Sequence, residues 1–247
     1  MDTEPTANPD ETTDTICGVL EVIQAKRGYR FGVESLLLPG FVRPGADELV
    51  DLGCGSGVIP LVMVRFYGIK KAFGVEIQSG LADRARRTAA LNHLADRVEI
   101  VEADLKALDG VLPAGKFELV VSNPPYRPAE TGQVSQQEEK ALGKHEIACA
   151  APDVVAAAAR LLRPQGRFCL VFSSKRLPEL MALLRGHGLQ PSRLRMIHGR
   201  LELPSKNCLV EAVRGGKGTM VTEPPLIVYD KLEEYTEEVK GMLYPSE

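Results

Sequence analysis

Glu48-Leu49-Val50-Asp51-Leu52 runs directly into Gly53-Cys54-Gly55-Ser56-Gly57, and an apolar segment from Val58 to Tyr67 follows. A short apolar run closed by glycines predicts a buried strand, and the segment after it predicts a helix. A strand, a glycine loop and a helix in succession form a binding turn of an open α/β sheet. Such sheets take their ligands outside the carboxyl ends of the strands. Alternating glycines let the backbone bend beneath a ligand without Cβ clashes. The spacing is D-x-G-x-G-x-G, which differs from the dinucleotide pattern G-x-G-x-x-G. Counted from Gly55, Pro60 stands where that pattern wants its last glycine, and the lysine of a phosphate-binding loop is missing. Asp51 can take a cationic ammonium. The plainer alternative is a glycine turn with no ligand.

Moving outward along the chain, Ala72-Phe73-Gly74-Val75-Glu76 is a second strand that ends in an acid. Glu76 lies about twenty residues beyond the loop, where a carboxylate can bind both hydroxyls of a ribose. A helix from Gln78 to Asn92 follows, and its Arg84, Arg86 and Arg87 are expected to form a solvated face. Val98 to Val101 is a third strand, closed by Ala103-Asp104. Asp104 either accepts a hydrogen bond from an adenine amine or caps a turn before Lys106.

Phe117-Glu118-Leu119-Val120-Val121 is a fourth buried strand, and Ser122-Asn123-Pro124-Pro125-Tyr126 sits at its tip. Pro124 restricts Asn123 to extended conformations, and each proline fixes its own φ and removes a donor. The Asn123 carboxamide and the Pro124 carbonyl are therefore stiffly held acceptors. Tyr126 adds a flat face for stacking. Two fixed acceptors beside a ring suit a planar amine; the competing interpretation is a proline-rich turn capped by asparagine.

At 247 residues the chain suits one large domain, or one domain with a small appendage. No apolar run approaches the roughly 18 residues of a membrane span. The five cysteines Cys17, Cys54, Cys149, Cys169 and Cys208 show no C-x-x-C spacing and are expected to be reduced core thiols of a cytoplasmic protein. The four histidines show no metal-ligand spacing, so no metal site is expected. Charge is unevenly placed. Residues 1–15 carry five acids and no base, and residues 230–247 carry six acids and two lysines, which leaves +6 on the residues between. A basic body is compatible with nucleic acid. Lys26-Arg27-Gly28-Tyr29-Arg30-Phe31 interleaves cations with aromatics, as RNA-contacting segments do, and equally suits a basic hairpin edge.

The rest of the chain is read for organisation. A short strand is expected within residues 16–24, and a helix from Val33 to Val42 that stops at Pro39-Gly40 or shortly after. Residues 127–144 are polar and aperiodic, as functional loops often are. Then come a helix from Ala148 to Leu162 with Arg163-Pro164-Gln165-Gly166 as its stop, a strand from Phe168 to Phe172, and a helix from Leu177 to His187. A closing strand pair follows over Ser192–His198 and Cys208–Val213, and an acidic helix from Leu232 to Leu243.

Asp51 with its glycine loop, Glu76, Asp104 and Ser122-Asn123-Pro124-Pro125-Tyr126 together resemble class I S-adenosylmethionine-dependent methyltransferases of the amino-methylating group. The resemblance covers about residues 20–215. Gly28-Tyr29-Arg30-Phe31, Lys144-His145-Glu146 and Pro224-Pro225-Leu226-Ile227-Val228-Tyr229 resemble one branch, the bacterial tRNA adenine-N6 methyltransferases acting at adenine 37 of a valine tRNA. The resemblance implies a doubly wound, mostly parallel, seven-stranded α/β sheet whose last hairpin carries the one antiparallel strand. It implies S-adenosylmethionine as cofactor, held by Asp51, Gly53, Gly55, Gly57, Glu76 and Asp104. Asn123, Pro124 and Tyr126 would form the catalytic amine site, and RNA would be the partner, met by Lys26, Arg27, Arg30, Phe31, Lys144 and His145. The expected division is a disordered acidic tail over 1–15, an extension covering the site over 16–46, the methyltransferase domain over 47–215, and a C-terminal segment over 216–247. N-methylation of a protein glutamine amide, or of adenine in DNA, uses the same N-P-P-Y and stays open. A non-catalytic cofactor-binding scaffold is the alternative of another class. A separate recognition domain before Gly28 is not seen, which favours RNA over a protein substrate.

Overall fold

Side chains along a strand alternate between the two faces of a sheet, and in this chain both sets are apolar and both are covered. The computed structural model describes residues 7–28, 30–124 and 151–245. Strands β3 (Glu48–Leu52), β4 (Lys71–Glu76), β5 (Val98–Glu102), β6 (Phe117–Ser122), β7 (Leu162–Ser173), β8 (Leu189–His198) and β9 (Asn207–Arg214) form the sheet in the order β8-β9-β7-β6-β3-β4-β5. Only β9 runs antiparallel to its neighbours, as the resemblance implies. Two short strands, β10 (Val221–Thr222) and β11 (Leu226–Ile227), add to the edge of β8 and bring the sheet to nine.

Helices α1 (Glu34–Phe41), α2 (Val58–Phe66), α3 (Ser79–Leu91) and α6 (Glu237–Leu243) cover one face. Leu37, Leu61 and Ala85 pack there against Leu49, Leu119 and Val121. Helices α4 (Ala151–Leu161) and α5 (Leu177–Gly186) cover the other, where Val155 and Leu180 join Val50, Val120 and Phe168. Each fully buried aliphatic or aromatic side chain contributes about 1.5–3 kcal/mol, so the strand tips rest on a core filled from both sides. Among the described residues no helix is long and apolar enough to cross a membrane.

Four sequence expectations change. The tail expected to be disordered over 1–15 is ordered from Glu11: β1 (Glu11–Ile16) pairs with β2 (Leu20–Ala25) as an antiparallel hairpin. The hairpin lies on α3, and that contact also overturns the solvated face assigned to Arg84 and Arg87. Both guanidiniums reach the buried Glu11, Arg87 through two hydrogen bonds of 2.7 and 2.8 Å and Arg84 at 3.6 Å. The Arg87 hydrogen bonds above all, with the Asn8 amide and the charges of Arg87 and Arg84 adding to them against the opposing effect of burial, hold the Glu11 carboxyl down at about 2. The strand expected from Phe168 begins at Leu162, and Arg163-Pro164-Gln165-Gly166 forms a bulge inside it, with Gln165 at φ 64°. The acidic helix begins at Glu237, because the Thr236 hydroxyl caps it and the Asp230 carboxylate first binds a turn through the Leu232 and Glu234 amides.

Helix α1 is fixed at both ends. Arg193 of β8 donates to the Phe41 carbonyl at 3.1 Å and lies 4.2 Å over the Phe41 ring. Arg193 and Arg43 together clasp the buried Glu211 of β9. At the other end Asn207 donates to the Glu34 carboxylate at 3.0 Å.

Candidate active site

From β3 the sheet extends through β4 and β5 in one direction and through β6 and β7 in the other. The crevice outside the carboxyl ends of β3 and β6 is thus the topological switch point, where open α/β sheets bind ligands. The Asp51↔Val121 pairing brings the β3 tip beside the β6 tip. The hydroxyl of the buried Ser122 donates to the Leu52 carbonyl at 2.7 Å and ties the two tips together.

Asp51 is fully buried, and neither of its carboxylate oxygens has a hydrogen-bond partner. A carboxylate removed from water without donors is strongly disfavoured. Burial first, and the neighbouring Glu76 charge second, push its carboxyl well above the usual range. The Gly53 and Cys54 amides hook onto the Val75 carbonyl at 2.9 and 3.0 Å, which folds the loop back over β4. Gly53, Gly55 and Gly57 all have left-handed φ, of 75°, 56° and 79°, a conformation that costs other residues roughly 1–2 kcal/mol. A Cβ on Gly57 would also lie 3.2 Å from the Ala85 Cβ, so the loop sits closely on α3.

Glu76, at the end of β4, accepts from the Gly55 amide at 3.0 Å and the Gln78 amide at 2.9 Å. These bonds aim the carboxylate along the rim of the loop, and each oxygen keeps acceptor capacity. Asp104 caps the turn Leu105–Ala107 by accepting from the Lys106 amide at 2.9 Å, which is the alternative role its position allowed. Asn123 lies at the tip of β6, followed by the buried Pro124. Its carboxamide nitrogen donates to the Ser35 hydroxyl of α1 at 2.9 Å. Ser35 was not singled out from sequence. Its only signal is a polar residue in the first turn of the apolar helix Ser35-Leu36-Leu37-Leu38, where it is buried.

The structure brings Asp51, the glycine loop, Glu76 and Asn123 to one edge of the sheet. Tyr126, Lys144 and His145 lie outside the described residues, as do Tyr29 and the loop expected over 127–144. The hairpin follows α3, with Glu21 at Asn92 near the helix end and Glu11 at Arg84 and Arg87. Its open end therefore points towards the start of α3, the edge of the strand tips. Lys26 and Arg27 are at that end. Lys26 donates to the Pro9 carbonyl at 2.8 Å, and Arg30 is paired with Asp14. Phe31 is partly buried, with its ring packed against the core.

This donor and acceptor set fits S-adenosylmethionine. An orphaned buried carboxylate matches an ammonium, the glycine turn leaves room for a ligand backbone, and a second carboxylate waits one strand away. Among the described residues no cluster of side chains could hold a metal ion.

Comparison with known proteins agrees with this geometry. The chain is 27% identical over 181 residues to a Porphyromonas gingivalis (strain W83) protein named tRNA1(Val) (adenine(37)-N6)-methyltransferase, covering 70% of each chain. It is 30% identical over 183 residues to the protein of the same name from strain ATCC 33277, again covering 70% of each. It is also 30% identical over 160 residues to a release factor glutamine methyltransferase of Chlorobaculum tepidum, covering 62% of this chain and 54% of that protein. Among solved structures, a predicted O-methyltransferase of Agrobacterium tumefaciens superposes with a TM-score of 0.68 at 23% identity, covering 84% of this chain and 94% of that one, a likeness of fold. The sequence pattern of the methyltransferase small domain matches residues 32–186, more than half of the chain. The chain belongs to the methyltransferase small domain family.

Proposed function

We propose that this chain is an S-adenosylmethionine-dependent N-methyltransferase that methylates the exocyclic N6 amine of adenine in tRNA, near the anticodon, in the cytoplasm. The observation that carries the proposal is the placement of Asn123-Pro124 at the tip of β6, tied by Ser122 to the tip of β3 that bears the orphaned Asp51. The names of the similar P. gingivalis proteins supply the acceptor.

When bound, the cofactor supplies a methyl group already activated on a sulfonium. In this proposal the chain contributes alignment and electrostatics. Asp51 receives the ammonium, Glu76 the ribose hydroxyls, and Asp104 the adenine edge as far as its cap allows. An adenine amine is a poor nucleophile because its lone pair is delocalised into the purine. Asn123 Oδ1 and the Pro124 carbonyl accept its two protons as hydrogen bonds and draw the nitrogen towards tetrahedral geometry. Positive charge develops on that nitrogen during transfer, so fixed acceptors act most strongly in the transition state. No strong base is needed, because the methylated ammonium is acidic and releases its proton afterwards. Tyr126 stacks on the extruded base, which leaves a single-stranded loop most cheaply. Lys26 and Arg27 meet phosphates, and Lys144 and His145 are assigned to the RNA by the sequence resemblance alone. The similarity to the release factor enzyme favours a glutamine amide as second reading, over a smaller share of that relative.

The test is twofold. Mass spectrometry of tRNA nucleosides from cells with and without the protein should show N6-methyladenosine lost on deletion. In single-turnover assays Asn123→Ala should lower the rate about 10²–10³-fold, the usual cost of one preorganised transition-state hydrogen bond, with S-adenosylhomocysteine affinity retained. Transfer to a glutamine peptide but not to unmodified tRNA would replace the RNA reading.

A further inference from the structure

We propose that Ser35 is a positioning residue of the amine site, which holds the Asn123 carboxamide so that its oxygen, and not its nitrogen, is offered to the acceptor amine. The inference rests on the role given to Asn123 above. A carboxamide has one accepting and one donating end, and the torsion that exchanges them is broad and roughly two-fold. With the nitrogen end turned to the substrate, two N–H donors would face the two N–H donors of an amine, and the site would repel its acceptor. Something must therefore bind the nitrogen end. The Ser35 hydroxyl does so, accepting from Asn123 Nδ2 at 2.9 Å across 88 positions of sequence.

The arrangement around Ser35 makes it a rigid post. Ser35 is 4% exposed and stands in the first turn of α1, whose Leu36, Leu37, Leu38 and Phe41 are buried in the core. Arg193 anchors the end of the helix at the Phe41 carbonyl, and Asn207 anchors its start at Glu34. Nothing about helix formation asks for serine here: alanine has the higher propensity, and a buried hydroxyl is unfavourable unless bonded. The hydroxyl's bond is to the one side chain that the amine chemistry needs oriented.

The experiment is a double-mutant cycle in single-turnover methyl transfer to unmodified tRNA, with S-adenosylhomocysteine binding and melting temperature measured alongside. Ser35→Ala should lower the rate about tenfold, in keeping with the loss of one orienting hydrogen bond, while cofactor affinity stays at the wild-type value and the melting temperature falls by only about 2–4 °C. In an Asn123→Ala background the same change should cost no further rate, because there is no carboxamide left to orient. Ser35→Cys, similar in size but a weaker acceptor, should fall between wild type and Ser35→Ala; it replaces the alanine variant in the cycle should that variant not fold. Wild-type turnover in Ser35→Ala beside a crippled Asn123→Ala overturns the inference about Ser35 and leaves the amine site standing. Rate reductions that multiply in the double variant overturn it as well. Normal turnover in Asn123→Ala overturns the amine site itself.

Discussion

Asp51→Asn should stabilise the ligand-free protein and at the same time remove its response to cofactor. The Asp51 side chain is wholly buried and both of its oxygens lack partners. Leaving one buried polar group unsatisfied costs about 1–3 kcal/mol, and more when it is charged. Asparagine keeps the shape and cannot ionise, so the variant should gain about 1–3 kcal/mol near neutral pH. For a chain of this size each kcal/mol moves the melting temperature by about 2–4 °C, so the shift is roughly 2–12 °C upward. The pH dependence has a definite sign. Burial raises the folded-state pKa of Asp51 well above its ordinary 3.8, so the folded state binds the proton more readily than the unfolded state. Wild-type stability from this group is complete below that ordinary value and falls as pH rises through the folded-state value. The asparagine variant has no such dependence. The gap in melting temperature should therefore be small in acid, open as pH rises, and level off. The ligand arm runs the other way: S-adenosylhomocysteine at 100 times its Kd stabilises wild type by about 2.7 kcal/mol, and the variant should show no such shift. Differential scanning calorimetry from pH 4 to 9, with and without ligand, reads both. A variant that melts below wild type at high pH and still responds to ligand would refute the idea that Asp51 is held for a cation.

Two further perturbations test the surroundings of the site. Glu11→Gln should destabilise the protein by about 1.5–3 kcal/mol, the range for hydrogen bonds to charged groups; since the folded carboxyl titrates at about 2 against an ordinary 4.5, the difference from wild type in chemical denaturation should be full above pH 4.5 and shrink as pH falls towards 2, and a pH-independent difference would count against the Glu11–Arg87 pair as its source. Lys26→Glu with Arg27→Glu should weaken tRNA binding and reduce the slope of log affinity against log salt by about 0.7–0.9 for each phosphate that is no longer neutralised; an unchanged slope in filter binding would take both residues out of the RNA footprint.

The parts of this protein that could be read from sequence are those written locally. Strand, glycine loop and helix lie within twenty residues of Asp51, and short apolar runs mark β3 to β6 without reference to the rest of the chain. Composition misled where a charge has a distant partner. The acids of residues 1–15 look like a solvated tail, yet Glu11 is buried because Arg84 and Arg87 of α3 stand opposite it. The same pair was invisible from the helix, where three arginines on one side look like a surface. A count of charges reveals neither pairing nor burial, and in this region pairing decides the structure. Asp104 shows the reverse, since the local cap through Lys106 was legible and is what forms.

Ser35 marks the limit most sharply, because no pattern in its own helix identifies it. A serine at the start of a leucine-rich turn reads as an ordinary helix residue until the fold sets it 2.9 Å from Asn123. The motif residues at the tip of β6 supply the chemical groups, but an asparagine motif by itself does not say which end of the carboxamide faces the acceptor. That choice is made by an element placed before the glycine loop in sequence and packed in space against the helix that follows the loop. The N-terminal segment thus serves the site twice. Its hairpin is fastened to α3 by Glu11, which keeps Lys26 and Arg27 towards the strand tips, and α1 is fastened at both ends, which keeps Ser35 against Asn123. The two attachments involve different partners, so Glu11→Gln should loosen the hairpin and alter RNA binding without changing the orientation of Asn123, and Ser35→Ala should do the opposite.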